Sequence, residues 1–133
     1  MKHLLVLLVA VGLCACDTVT DHYRTLEEAR NDRLFERGWL PDILPQSTVN
    51  IVTSNDVDIG QSVGSFSFSV EDGRKFFARL NNGLPPESEY KNWSEVVAEF
   101  PSETYSYKWL KGERATWAFF CIESEGTCTY YAW

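Results

Sequence analysis

The chain has 133 residues and a formal net charge of −7 at pH 7, a length typical of one domain. Nucleic-acid binding without sequence preference depends on lysine and arginine that neutralise phosphates, and docking on anionic lipid depends on a basic patch. The charge balance therefore argues against both functions, whereas a basic protein partner is compatible with it.

The N-terminus has the pattern of a secretory signal. Lys2 and His3 provide a basic start, residues 4–13 are apolar, and small residues follow. This apolar run is shorter than the roughly 20 residues that a transmembrane helix needs. We therefore predict a signal peptide at residues 1–15.

The end of this segment, Leu13-Cys14-Ala15-Cys16, resembles a bacterial lipoprotein box. The resemblance implies cleavage before Cys16, lipid on its sulfur and acylation of its new amine, for example by palmitate. Cys14 is the weaker candidate because bulky Leu13 precedes it, and an ordinary secreted protein cut after Ala15 is the alternative. Asp17 resembles the signal that retains enteric-type lipoproteins in the inner membrane. The expected location is the bacterial cell membrane, lipid-anchored on the periplasmic side, with the inner membrane favoured over the outer.

After the signal peptide we predict a lipidated tether at residues 16–24 and a single domain at residues 25–133. Thr25 and Glu28 form a capping box for a helix at 26–37, which Gly38 would end. A second helix begins near residue 71 and ends near residue 82. Residues 81–92 are a loop, and a helical turn capped by Ser94 follows.

Alternating apolar and polar residues predict strands at 47–53, 65–70, 103–110, 114–122 and 127–133. Together with the helices they indicate an α+β fold. We expect an antiparallel sheet of about five strands, two to three helices on one face, and a C-terminal disulfide hairpin.

The hairpin expectation comes from Cys121 and Cys128, which flank a turn-like tetrapeptide at 123–126. If that tetrapeptide is the loop, the two cysteines face each other, and an exported chain meets an oxidising compartment. The alternative is a redox or metal site. A metal site would need further ligands, and His22 is the only histidine after the signal peptide.

A family resemblance rests on the stretch ERGWLPDILPQS at residues 36–47, preceded by Tyr23-x-Thr25-x-Glu27-Glu28-Ala29. An acidic stretch at 55–58 and a Phe-x-Phe strand follow. Over about residues 1–70 the chain resembles small bacterial lipoproteins of the YbbD-head-domain type. This resemblance implies a fold and a location but no assigned activity.

Few side chains suggest chemistry. Arg37 and Trp39 could form a recognition loop, since both types are favoured at binding hot spots, although packing of Trp39 between helix and sheet is the favoured interpretation. Asp56 and Asp58 could bind Ca²⁺ or act as acid and base, but the further oxygens of an EF-hand are missing, which favours a solvated turn. Glutamates between Glu87 and Glu103 form either a solvated surface or a site for a basic partner.

We therefore expect no catalytic residues, no cofactor and no metal. The leading hypothesis is a membrane-tethered periplasmic lipoprotein that acts by protein contact, with no nucleic-acid partner. Its possible partner surface comprises Arg37, Trp39, Asp56 and Asp58. One alternative is an inhibitor or immunity protein against an envelope-acting toxin or cell-wall hydrolase. Another is a carboxylate-based hydrolase using Asp56, Asp58 or the glutamates at 87–103. The C-terminal aromatics could stack on sugars, although core packing is favoured. The oligomeric state is left open.

Overall fold

The computed structural model describes residues 18–133, which form one antiparallel sheet and three helices. The strands are β1 (Thr18–Thr25), β2 (Val49–Asp56), β3 (Gln61–Ser67), β4 (Asn81–Asn82), β5 (Ser106–Lys111), β6 (Thr116–Ile122) and β7 (Thr127–Ala132). The helices are α1 (Leu26–Asn31), α2 (Val70–Ala78) and α3 (Trp93–Ala98). The sheet order is β1-β2-β3-β7-β6-β5-β4. The α+β class is confirmed, with seven strands rather than five.

The two additional strands are β1 and β4. Residues 18–24, which we expected in a tether outside the domain, lie in β1, where Thr18 pairs with Asp56 and Thr25 with Val49. Tyr23 is the only residue of β1 that is buried. The strand therefore lacks the apolar alternation that reveals strands in a sequence.

Both faces of the sheet are covered, which corrects the expectation of helices on one face. We call the face that contacts α1 and α2 the first face; its core includes Ile51, Phe66 and Phe119. On the second face, α3 and neighbouring loop residues pack on Phe120 and Tyr131. Phe119 and Phe120 are consecutive in β6, and both are almost fully buried. Because consecutive strand residues point to opposite faces, this burial requires a layer on each side.

Helix α1 begins as predicted but ends six residues early. The Thr25 hydroxyl accepts the Glu28 N–H at 3.2 Å, and the Glu28 carboxylate accepts the Arg24 N–H at 2.8 Å. At the other end Arg33 has φ of 60°, and the Leu34 N–H bonds to the Ala29 carbonyl, which is a Schellman ending. Leu34 is fully buried, so the turn that ends the helix places an apolar side chain in the core.

The C-terminal hairpin is confirmed. Cys121 pairs with Cys128, Ile122 pairs with Thr127, and the two cysteines form a disulfide. The cap of α3 differs from expectation because Asn92, with φ of 58°, precedes the helix and Ser94 lies inside it. No helix within residues 18–133 is long and apolar enough to span a membrane.

Candidate functional site

The predicted recognition loop is held against the first face. Arg37 Nη2 donates to the Tyr23 hydroxyl at 3.3 Å and to Asp32 Oδ2 at 3.2 Å. Burial, together with the hydrogen bond to Asp32, raises the pKa of Tyr23 to about 12. Trp39 packs against the core, and its carbonyl accepts the indole N–H of Trp117 at 3.0 Å. The packing interpretation of Trp39 is thereby supported.

Asp56 lies at the last position of β2, and Asp58 lies in the exposed turn that joins β2 to β3. Asp56 Oδ1 accepts the backbone N–H groups of Asp58 and Ile59 at 3.2 and 3.4 Å. This carboxylate therefore stabilises the turn. Within residues 18–133 no group of three His, Cys, Asp or Glu side chains is arranged to hold a metal ion.

The glutamates at 87–103 lie on the segment that covers the second face. We call residues 84–105 the covering segment. Its aromatic side chains point towards the sheet: Phe100 stacks on Phe120 with ring centroids 4.3 Å apart, and Tyr90 meets Tyr131 edge-on at 5.0 Å. Its carboxylates are left outside and exposed, at Glu87, Glu89, Glu95, Glu99 and Glu103.

Within the covering segment these glutamates have one basic residue near them in sequence, while Lys111 and Arg114 around the β5–β6 turn lie near Glu87 and Glu89. Lys91 is the only lysine or arginine in the covering segment. The ion pairs recorded within residues 18–133 all lie elsewhere, between residues 24 and 42. The negative field of Glu99 also contributes, after burial, to raising the pKa of Tyr131 to about 12. The covering segment is thus a negatively charged ridge on a rigid aromatic base.

A groove borders this ridge. It has a volume of ≈ 590 Å³ and lies between residues 85–89 of the covering segment and residues 111–116 around the β5–β6 turn. Its large aromatic side chains are Trp109 of β5 and Trp133, and both are half-buried. Its charged lining comprises Glu87, Glu89, Glu113, Lys111 and Arg114. We call this the tryptophan groove.

The tryptophan groove has no signature in the sequence. Its walls come from three separate stretches of the chain, and Trp109 reads as one more member of an alternating strand. The predicted surface residues are also not one site. Trp39 packs against the core of the first face and Arg37 bonds to Tyr23 there, whereas Asp56 ends β2 and Asp58 lies in the β2–β3 turn.

A buried polar chain lies on the first face. Ser62 donates to Asn55 Oδ1 at 2.6 Å, and Ser62 Oγ lies 2.7 Å from the Tyr130 hydroxyl. Burial raises the pKa of Tyr130 well above its usual value. Asn55, Ser62 and Tyr130 are almost completely buried, so this chain of hydrogen bonds is closed to solvent and stabilises the fold.

A comparison with protein families gives one match, to the YbbD head domain, over residues 17–67. In the structure this segment corresponds to β1, α1, β2 and β3. No curated protein and no solved structure matches the chain. The family match supports the sequence resemblance over residues 17–67, which are similar to the YbbD head domain.

Proposed function

We propose that this protein is a lipoprotein, anchored through Cys16 on the periplasmic side of the inner membrane, that binds a basic protein partner and catalyses no reaction. The observation that carries the binding role is the continuity of the exposed glutamates of the covering segment with the tryptophan groove. Glu87 and Glu89 belong to both features. At these two residues the negative charge of the ridge lies next to the tryptophan side chains of the groove.

This combination suits lysine and arginine side chains of a partner. Glutamates attract the cations over a range set by ionic strength, about 8 Å in physiological salt. Trp109 and Trp133 line the groove and are half-buried, and a cation over an indole at an exposed site gains about 0.5–1 kcal/mol. Because the aromatic packing beneath the ridge is extensive, little ordering is needed when a partner binds.

The binding site is tested by crosslinking in intact cells. A photoreactive residue replaces Glu87 beside the groove, and in a matched control it replaces Glu27, an exposed glutamate of α1. We expect a crosslinked protein with a basic contact surface at position 87 and none at position 27. The same adduct at both positions, or none at either, would contradict the proposal.

Charge is tested separately with glutamines. The double substitution Glu87→Gln and Glu89→Gln should weaken the isolated complex by about 2–30-fold, since each exposed ion pair contributes about 0.2–1 kcal/mol. The control pair Glu27→Gln and Glu71→Gln, on α1 and α2, should leave affinity unchanged. If the captured protein is a toxin or cell-wall hydrolase whose activity falls on binding, the function is that of an inhibitor or immunity protein.

The anchor is tested through the two candidate cysteines. Cys16→Ser should abolish lipid labelling and normal processing, whereas Cys14→Ser should leave both intact. The opposite result would contradict the assignment. Asp17→Ser should move the protein to outer-membrane fractions in a host with the enteric sorting rule. Wild type confined to the outer membrane would refute the role of Asp17. Cys16 and Asp17 both lie outside the described residues.

A further inference from the structure

We propose that the β2–β3 turn, residues 57–60, contacts the bilayer surface next to the lipid anchor. This inference rests on the proposed anchoring at Cys16. The turn would contact zwitterionic lipid, at the boundary between its headgroups and its acyl chains. The protein would then be oriented on the membrane and not merely attached to it.

The chain between the proposed anchor and the sheet is very short. One residue, Asp17, separates Cys16 from Thr18, the first residue of β1. Two residue steps span at most about 7 Å. Thr18 is paired with Asp56, the residue that immediately precedes the β2–β3 turn. Lipidation at Cys16 would therefore hold this turn close to the bilayer.

The most exposed apolar side chains lie in or near the β2–β3 turn. The three most exposed large hydrophobic residues within 18–133 are Val57 at 62%, Ile59 at 55% and Val19 at 50%. Val57 and Ile59 are in the turn, and Val19 follows Thr18 in β1. Single exposed apolar residues need no explanation. These three gather at the end of the sheet that the anchor would hold nearest the membrane.

Hydrogen bonds and a glycine define the conformation of the β2–β3 turn. The Asp56 carboxylate accepts two backbone N–H groups of the turn, which fixes its conformation. Gly60 has φ of 64° with open space around it, as a tight reversal requires. Asp56 and Asp58 place two negative charges at this end, and Lys91 nearby offsets one of them. The contact is therefore directed to zwitterionic lipid, since anionic headgroups would repel these carboxylates.

The test uses the full chain, exported, purified and reconstituted in phosphatidylcholine vesicles after mass spectrometry of its N-terminal peptide. Val57→Cys and Ile59→Cys introduce thiols for an environment-sensitive fluorophore, while Cys121 and Cys128 remain in their disulfide. Val70→Cys is the matched control. It is an exposed valine of α2 beside Glu123, at the opposite end of the sheet.

Brominated lipids should quench the labels at positions 57 and 59 at least about twofold more than the label at 70, because membrane-contacting apolar groups lie about 5–10 Å into the boundary region. Anionic lipid in the vesicles should reduce this difference. Equal quenching at all three positions in protein that carries the lipid would overturn the inference and leave the anchoring intact. An N-terminal peptide without lipid would overturn the anchoring and, with it, the inference.

Discussion

The Tyr130 hydroxyl lies 2.7 Å from Ser62 Oγ, although the two residues are not directly paired in the sheet. Tyr130 pairs with Gly64, and its ring passes over the position where a Cβ of Gly64 would be. The Ser62 hydroxyl has a single proton, which it donates to Asn55 Oδ1. The Tyr130 hydroxyl is therefore the donor to Ser62, and one polar chain connects β7, β3 and β2.

Tyr130→Phe should lower the free energy of unfolding by about 1–2 kcal/mol, because Ser62 loses a donor in a place that water does not reach. Urea unfolding measures the change. Tyr131→Phe, whose hydroxyl makes no recorded hydrogen bond within residues 18–133, should change stability by less than about 0.5 kcal/mol. Equal effects of the two substitutions would show that the polar chain contributes nothing specific.

Gly64→Ala should be much more damaging. A Cβ at this position would lie 1.9 Å from the Val52 carbonyl oxygen and 2.8 Å from the Tyr130 ring. Since a backbone atom of β2 cannot move without breaking strand pairing, we expect a loss of about 3 kcal/mol or more. Gly60→Ala, with left-handed φ but open space, should cost only about 1 kcal/mol. Thermal unfolding of both variants compares the stability lost to a steric clash at position 64 with the stability lost to backbone strain at position 60.

Alkaline pH should destabilise the protein partly through Tyr23. Its pKa is raised to about 12 in the folded state, whereas an unfolded tyrosine has a pKa of about 10. The folded state therefore holds this proton more tightly, and the resulting stability is fully present below pH ~10 and is lost as pH rises towards ~12.

The Tyr23 contribution is isolated by Tyr23→Phe, which cannot ionise. At neutral pH this variant should be less stable than wild type by about 1 kcal/mol, because the hydrogen bond to Asp32 is gone. The difference should shrink between pH ~10 and ~12. Unfolding curves over this range provide the measurement, and a difference that stays constant would contradict the assignment.

Reduction of the Cys121–Cys128 disulfide should lower the free energy of unfolding by about 2–3 kcal/mol, the scale for a small closed loop. Both cysteines are buried, and they lie on the first face, away from the covering segment and tryptophan groove. Binding of the captured partner should therefore be unchanged below the new melting temperature. Loss of binding with the fold intact would instead assign a function to the hairpin tip at 123–126.

Several features were predictable from the sequence because neighbouring residues encode them. The Thr25 cap of α1 depends on four consecutive residues, and the pairing of Cys121 with Cys128 follows from the length of one turn. Alternation in β5, β6 and β7 likewise identifies each strand locally. The signal peptide and the lipidated Cys16 were also predicted from local pattern, and they lie outside the described residues.

Other features depend on contacts between distant parts of the chain. β1 carries little apolar alternation and is a strand because β2 offers it backbone partners. α1 ends early because Leu34 is buried in the core. α3 covers the second face because the side chains of Phe120 and Tyr131 on that face are buried beneath it.

The sequence by itself determined the α+β class, the cap of α1 and the disulfide. Each follows from a pattern among neighbouring residues or from the alternation of side chains between the two faces of a strand. Only the tertiary structure decided the edge position of β1, the two covered faces, the Tyr130–Ser62–Asn55 chain and the tryptophan groove. The physical reason is that these features arise from burial and pairing between segments far apart in the chain, such as Ser62 and Tyr130, which are 68 residues apart. A pattern among neighbouring residues does not show which distant segments will meet.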